Sequence, residues 1–93
     1  MDRTARAHAI IDRAVSLFLA YSPDGARLPV GVYQLDHHDC TITLMMDDAS
    51  NMVLAITGQG GVVLFKATIQ DGETDVAICE AAGWDQWFTA PVN

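Results

Sequence analysis

Asp36-His37-His38-Asp39-Cys40 sets five side chains able to hold a metal or move a proton in one unbroken run. Zinc takes imidazole and thiolate ligands, and an activated thiol needs an imidazole beside it. Adjacent residues on an extended chain point to opposite faces, so no single site can use the whole run. At most one histidine would join Cys40, with Cys79 borrowed from another strand. The spacing of roughly two to four intervening residues found between zinc ligands is missing. For nucleophilic chemistry Cys40 beside His38 is the candidate, but no third group is placed to orient the imidazole. The run therefore reads as a polar turn between two strands, with no metal.

Other chemical signals fade in the same way. Gly58-Gln59-Gly60-Gly61 has the glycines of a phosphate loop, yet Val62-Val63-Leu64-Phe65 follows, a strand rather than a helix N-terminus with its lysine. A hairpin needing positive φ is the expectation there. Asp47-Asp48 sits in a turn, and Glu80 and Asp85 flank the tail. A general acid needs a carboxyl group in an apolar pocket, and nothing in the sequence places either pair in one. Cys79 lies among apolar residues and reads as a small buried hydrophobe. The chain is expected to be no enzyme and to carry no cofactor.

Gly83-Trp84-Asp85-Gln86-Trp87-Phe88 holds both tryptophans. In a helical turn Trp84 and Phe88 share a face, with Trp87 beside it. One reading is a clamp that seals the end of a small core. The other is an exposed anchor for a partner, because tryptophan is favoured at binding hot spots.

The elements that must position these residues follow from patterning. Residues 4–21 read as an amphipathic helix. Ile10, Ile11, Ala14, Val15, Leu17, Phe18 and Tyr21 lie on one side, with Arg6, Ala9, Asp12, Arg13 and Ser16 opposite. Thr4 is the expected N-cap, and Ser22-Pro23-Asp24-Gly25 the stop. Strands are expected over 30–35, 41–46, 52–57 and 62–69. Ile42, Leu44, Met46, Met52, Leu54, Ile56, Val63, Phe65, Ala67 and Ile69 face inward. Short connectors rich in Gly, Asp and Asn join them as antiparallel neighbours. Residues 74–82 fit a last strand, with Val76 and Ile78 inward, or a helix ended by Gly83. The Asp71-Gly72 turn before them favours the strand. The fold expected is α+β: an N-terminal amphipathic helix packed on an antiparallel meander of four to five strands, in a single domain over 1–93.

Composition narrows the function. A chain of 93 residues, 51% apolar and 18% charged, has one modest core and is too apolar for a disordered acidic tail. Twelve carboxylates against five cations give a net charge of −7. Residues 1–21 sum to +1 and residues 22–93 to −8, so nucleic acid and anionic membrane are repelled and a basic protein is attracted. No apolar run approaches the roughly 20 residues of a membrane span. The N-terminus lacks the pattern of a secretion signal, because Asp12 and Arg13 break any apolar stretch. Two cysteines make no disulfide framework, so a reducing cytoplasm is the expected location.

An amphipathic helix leads into Leu35-Asp36-His37-His38-Asp39-Cys40-Thr41-Ile42-Thr43-Leu44. A turn with Asp47-Asp48 follows, then Met52-Val53-Leu54-Ala55-Ile56 and Leu64-Phe65-Lys66-Ala67. Over residues 8–70 this resembles the first half of the class I type III secretion chaperones, the Tir-chaperone type. The resemblance implies a small acidic cytoplasmic homodimer that holds the N-terminal region of a secreted effector in extended form, with no catalytic residue. Family members continue with a helix, two strands and a last helix, so their dimer-forming half has little counterpart in residues 71–93.

The strands also carry more apolar side chains than one helix can cover. Met45, Val53, Ala55, Val62 and Leu64 fall opposite the inward set, and such a face needs a second cover. That cover is the aromatic turn, a second copy of the chain or another protein. The expected function is non-enzymatic protein binding on an apolar sheet face or edge, through Met45, Val53, Ala55, Val62, Leu64, Trp84 and Trp87. The partner would bring a basic or extended apolar segment. The alternative is an acidic inhibitor, such as an immunity protein, that fills a basic cleft with Asp47, Asp48, Asp71, Glu73 and Asp75.

Overall fold

A computed structural model describes residues 3–20, 29–49, 51–81 and 83–89. Helix α1 spans Arg3–Leu19. Five strands follow: β1 (Gly31–His37), β2 (Cys40–Met46), β3 (Met52–Thr57), β4 (Val63–Gln70) and β5 (Glu73–Ile78). A single turn of helix, α2 (Gln86–Thr89), ends the described chain. The strands form one antiparallel sheet in the order β1-β2-β3-β4-β5, so each pairs only with its neighbours in sequence. This is the expected α+β meander, with all five strands present. Among the described residues no helix is long and apolar enough to cross a membrane.

Ala7, Ile10, Ala14 and Phe18 recur at steps of three and four and form the buried stripe of α1. They meet the inward rows of the sheet: Ile42 and Leu44, Leu54 and Ile56, Phe65 and Ala67, and Ile78. Phe65, Ile10, Ile42, Leu44, Leu54 and Ile56 are fully buried. Each such side chain contributes about 1.5–3 kcal/mol by leaving water.

Helix α1 differs from its expected form in three respects. Thr4 lies inside the helix rather than at its N-cap. Ala7 joins the buried stripe, and Arg6 and Arg13, expected on the far side, are half-buried at its flank. Tyr21 and the turn Ser22-Pro23-Asp24-Gly25 lie outside the described residues.

The sheet departs from expectation at its connections. Strand β1 runs on to His37, which pairs with Cys40, so the turn is only His38-Asp39. Both residues have positive φ, 49° and 65°, the backbone of a type I′ hairpin. Asp71-Gly72 makes the same kind of turn between β4 and β5 with the usual residue types. Between β3 and β4, Ile56 pairs with Phe65 but Thr57 pairs with Val63. Leu64 is thus the extra residue of a β-bulge. The bulge resets the alternation: Val63, expected inward, shares the outer face with Thr57 and is 55% exposed. Leu64, expected outward, is half-buried and packs on the core. It also lies against Gly58, where an added Cβ would stand 3.0 Å from a Leu64 methyl. The tail takes the strand option, ending at Ile78 rather than at residue 82, with Ile78 buried and Val76 packed on the core.

Candidate functional site

The helix-free face of the sheet is built by register. Val32 pairs with Met45, Met45 with Val53, Val53 with Thr68 and Thr68 with Asp75, so one row crosses all five strands. It begins apolar on β1 and ends acidic on β5. The next row reads Gln34, Thr43, Ala55, Lys66 and Ala77. Val32 is 69% exposed and Met45 43%. A groove of about 350 Å³ opens at the acidic end of the sheet, lined by Val32, Met45, Val53 and Thr68 of this row and by Gly31, Met46, Met52 and Ile69 of the adjacent row, with Asp47, Asn51 and Gln70 at its end. Among the described residues no helix covers this face.

Of the apolar residues singled out from sequence, the structure brings Met45, Val53 and Ala55 together here. It separates the others. Val62 is exposed in the β3–β4 connector, at the opposite end of the sheet, and is not part of a strand. Leu64 packs at the bulge. Val32 completes the row and was missed. Its signal was available: Tyr33 and Leu35 alternate as an inward pair, which turns Val32 outward.

All five candidate carboxylates gather at one end. Asp47 and Asp48 sit in the β2–β3 connector, and Asp71, Glu73 and Asp75 follow the end of β4. The backbone N–H of Asp71 donates to Asn51 Oδ1 at 3.3 Å and ties the two connectors together. By register Glu73 and Asp75 share the outer face with Met45 and Val53. Asp47 has a structural task. Its Oδ1 accepts from the backbone N–H groups of Ala49 and Asn51, and its Oδ2 from the Asn51 amide. The hydrogen bond from the Asn51 backbone, aided by the others, holds its carboxyl below the usual carboxylate range. Asp48, Asp71, Glu73 and Asp75 are exposed.

The aromatic turn lies at the other end and divides into clamp and surface. Phe88 is buried in the core. Trp84 is half-buried and donates its indole N–H to the Cys79 carbonyl at 2.9 Å. The Arg6 guanidinium stands 6.0 Å from the Trp84 ring and bonds Asp85 at 2.6 Å. Trp87 is 45% exposed and stacks on His38, with centroids 3.8 Å apart and planes 6° apart. His37 sets its edge against Phe88, with centroids 5.5 Å apart.

The Asp36–Cys40 run is therefore a hairpin whose imidazoles pack against aromatic rings. Cys40 is buried, which, with Asp39 nearby, pushes its thiol pKa up and away from nucleophilic use. Cys79 is also a free thiol. Among the described residues no group of three His, Cys, Asp or Glu converges as a metal site would require. The arrangement offers a surface for binding: an apolar row, a groove and a bank of carboxylates at its end. No family model, curated protein or solved structure matches the chain.

Proposed function

We propose that the chain is a non-enzymatic protein-binding module that docks its partner on the helix-free face of the sheet. The observation that carries this reading is the registered row Val32, Met45 and Val53, which continues through Thr68 to Asp75. Apolar side chains laid on the row supply affinity, at about 1.5–3 kcal/mol for each one fully buried. Asp71, Glu73 and Asp75 favour a lysine or arginine on the partner and repel acidic chains. A secretion-chaperone role, holding an extended client segment, is one form of this function, and the sequence resemblance supports it. A reducing cytoplasm suits the two free thiols.

The gathered carboxylates favour a second reading, an acidic inhibitor that enters a basic cleft end-on. One experiment separates the two. Tagged protein is used to capture partners from lysate, and the complex is eluted in salt steps. Wild type is run beside Met45→Asp and beside the triple variant Asp71→Asn, Glu73→Gln, Asp75→Asn. At molar salt the Debye length is about 3 Å, so surface charge no longer holds a complex. A partner that survives molar salt and is lost from Met45→Asp supports docking on the face. A partner released early and lost only from the triple variant supports the inhibitor. A partner indifferent to both variants overturns both.

A further inference from the structure

We propose that His37 is a proton-operated catch, holding the aromatic turn 83–89 on the core while neutral and releasing it when protonated. Among the described residues the turn is attached by Phe88 against His37, Trp87 on His38, Asp85 on Arg6, the Arg6 guanidinium over Trp84, and the Trp84 indole on the Cys79 carbonyl. His37 touches the most deeply buried member of the turn.

Its surroundings accept the neutral ring and resist the cation. The Nε2 atom of His37 is buried with no hydrogen-bond partner, and so is the Nε of Arg13 on α1. From α1 the facing charge is Arg13, and from β2 it is the Cys40 thiol, held neutral. The His37 hairpin itself adds His38, edge-on with centroids 4.4 Å apart, and Asp39. Asp36 points to the opposite face. From the C-terminal turn the charge is Asp85, committed to Arg6. Burial, then His38, then Arg13 push the His37 pKa below its ordinary 6.5. The arrangement of rings and of unpartnered nitrogens argues the same way.

The direction of the switch follows from linkage. The docked state has the depressed pKa and the released state the ordinary one. Above about pH 6.5 both are neutral, and docking is at full strength. As the pH falls toward the docked pKa, the ratio of docked to released molecules drops about tenfold per pH unit for this one proton. The His38 ring, stacked on Trp87 with centroids 3.8 Å apart, holds the turn separately from His37. A four-residue helix is a small cooperative unit that can open while the sheet stays intact.

Tryptophan emission and near-ultraviolet circular dichroism report the turn, since it carries both tryptophans. Far-ultraviolet circular dichroism reports the sheet and α1. Titration from about pH 8 to about pH 5 spans the histidine range. The expected result is a red shift of emission and loss of near-ultraviolet signal, with the far-ultraviolet signal unchanged. In His37→Phe, which keeps a ring against Phe88, the transition should vanish. His37→Gln repeats the test with a smaller neutral side chain. In His38→Ala, which leaves His37 in place, the transition should persist. A flat wild-type titration, a transition that survives both His37 variants, or simultaneous loss of the far-ultraviolet signal would overturn the proposal.

Discussion

The two ends of the sheet are held in different ways. At one end two histidines, Phe88, Trp84 and the Arg6–Asp85 pair close the core with side chains from three separate parts of the chain. At the other, Asp47 accepts from backbone N–H groups of its own connector, Asn51 Oδ1 accepts from the Asp71 N–H of the next, and the neighbouring carboxylates stay exposed. The first end depends on burial and the second on local hydrogen bonds. Stability should therefore concentrate at the aromatic end, and recognition at the acidic end and the row beside it.

The largest expected break in this contrast is Phe88→Ala. Removing a buried aromatic ring costs at most about 3–5 kcal/mol, and undocking of the turn caps the loss. Met45→Ala, on the exposed row, should stay within about 0.5 kcal/mol. Urea unfolding of both variants measures the difference, and equal losses would erase the distinction. Next is Arg6→Ala, which removes the 2.6 Å charge-assisted bond to Asp85 and should cost about 1.5–3 kcal/mol in the same assay.

The two type I′ turns sharpen the comparison at smaller scale. Asp71-Gly72 uses a glycine at positive φ, whereas His38-Asp39 uses none. Asp39→Gly should raise stability by about 0.5–1 kcal/mol by relieving its left-handed backbone. His38→Gly gains the same relief but loses the Trp87 stack, which contributes about 0.5–1.5 kcal/mol, so no net gain is expected. Thermal melts of the two variants check this.

The smallest effects lie among the acids. Asp47→Ala should lower the melting temperature more than Asp48→Ala, because only Asp47 organises its connector. The Asp47 carboxyl is held below its ordinary 3.8, so its contribution is fully present above that pH. The contribution is lost as the pH falls through the depressed folded value. A pH series of melts on wild type and Asp47→Asn should therefore differ above pH 3.8 and converge in stronger acid.

Much of this architecture is legible in the sequence, and the gaps have physical causes. Clean alternation marks β2 and β3, and Asp71-Gly72 marks the last hairpin. The polar run Asp36–Cys40 marks the first turn, but its two-residue form at His38-Asp39 hides, because glycine or asparagine carries that signal elsewhere, while here His38 stacks on Trp87. Val63 and Leu64 exchange faces because one inserted residue shifts the period, and nothing in Val-Val-Leu-Phe shows where the insertion falls. Ala7 hides because alanine suits both faces of a helix. The acidic candidates were found together because they are local to two connectors. The apolar candidates scattered because residues far apart in sequence share a face only once register is known.

The meander sets a route as well as a shape. Each strand completes its ladder with the one just made, so each step closes a short loop at small entropic cost. The long excursions are those that bring Arg3 to the carbonyl of Val76 and Arg6 to Asp85, across 73 and 79 residues. Such contacts belong late on the folding path and open first on the way back. Lesions at Arg6 or Phe88 therefore shorten the lifetime of the native molecule far more than they delay its assembly, and they leave a chain that folds promptly but does not last.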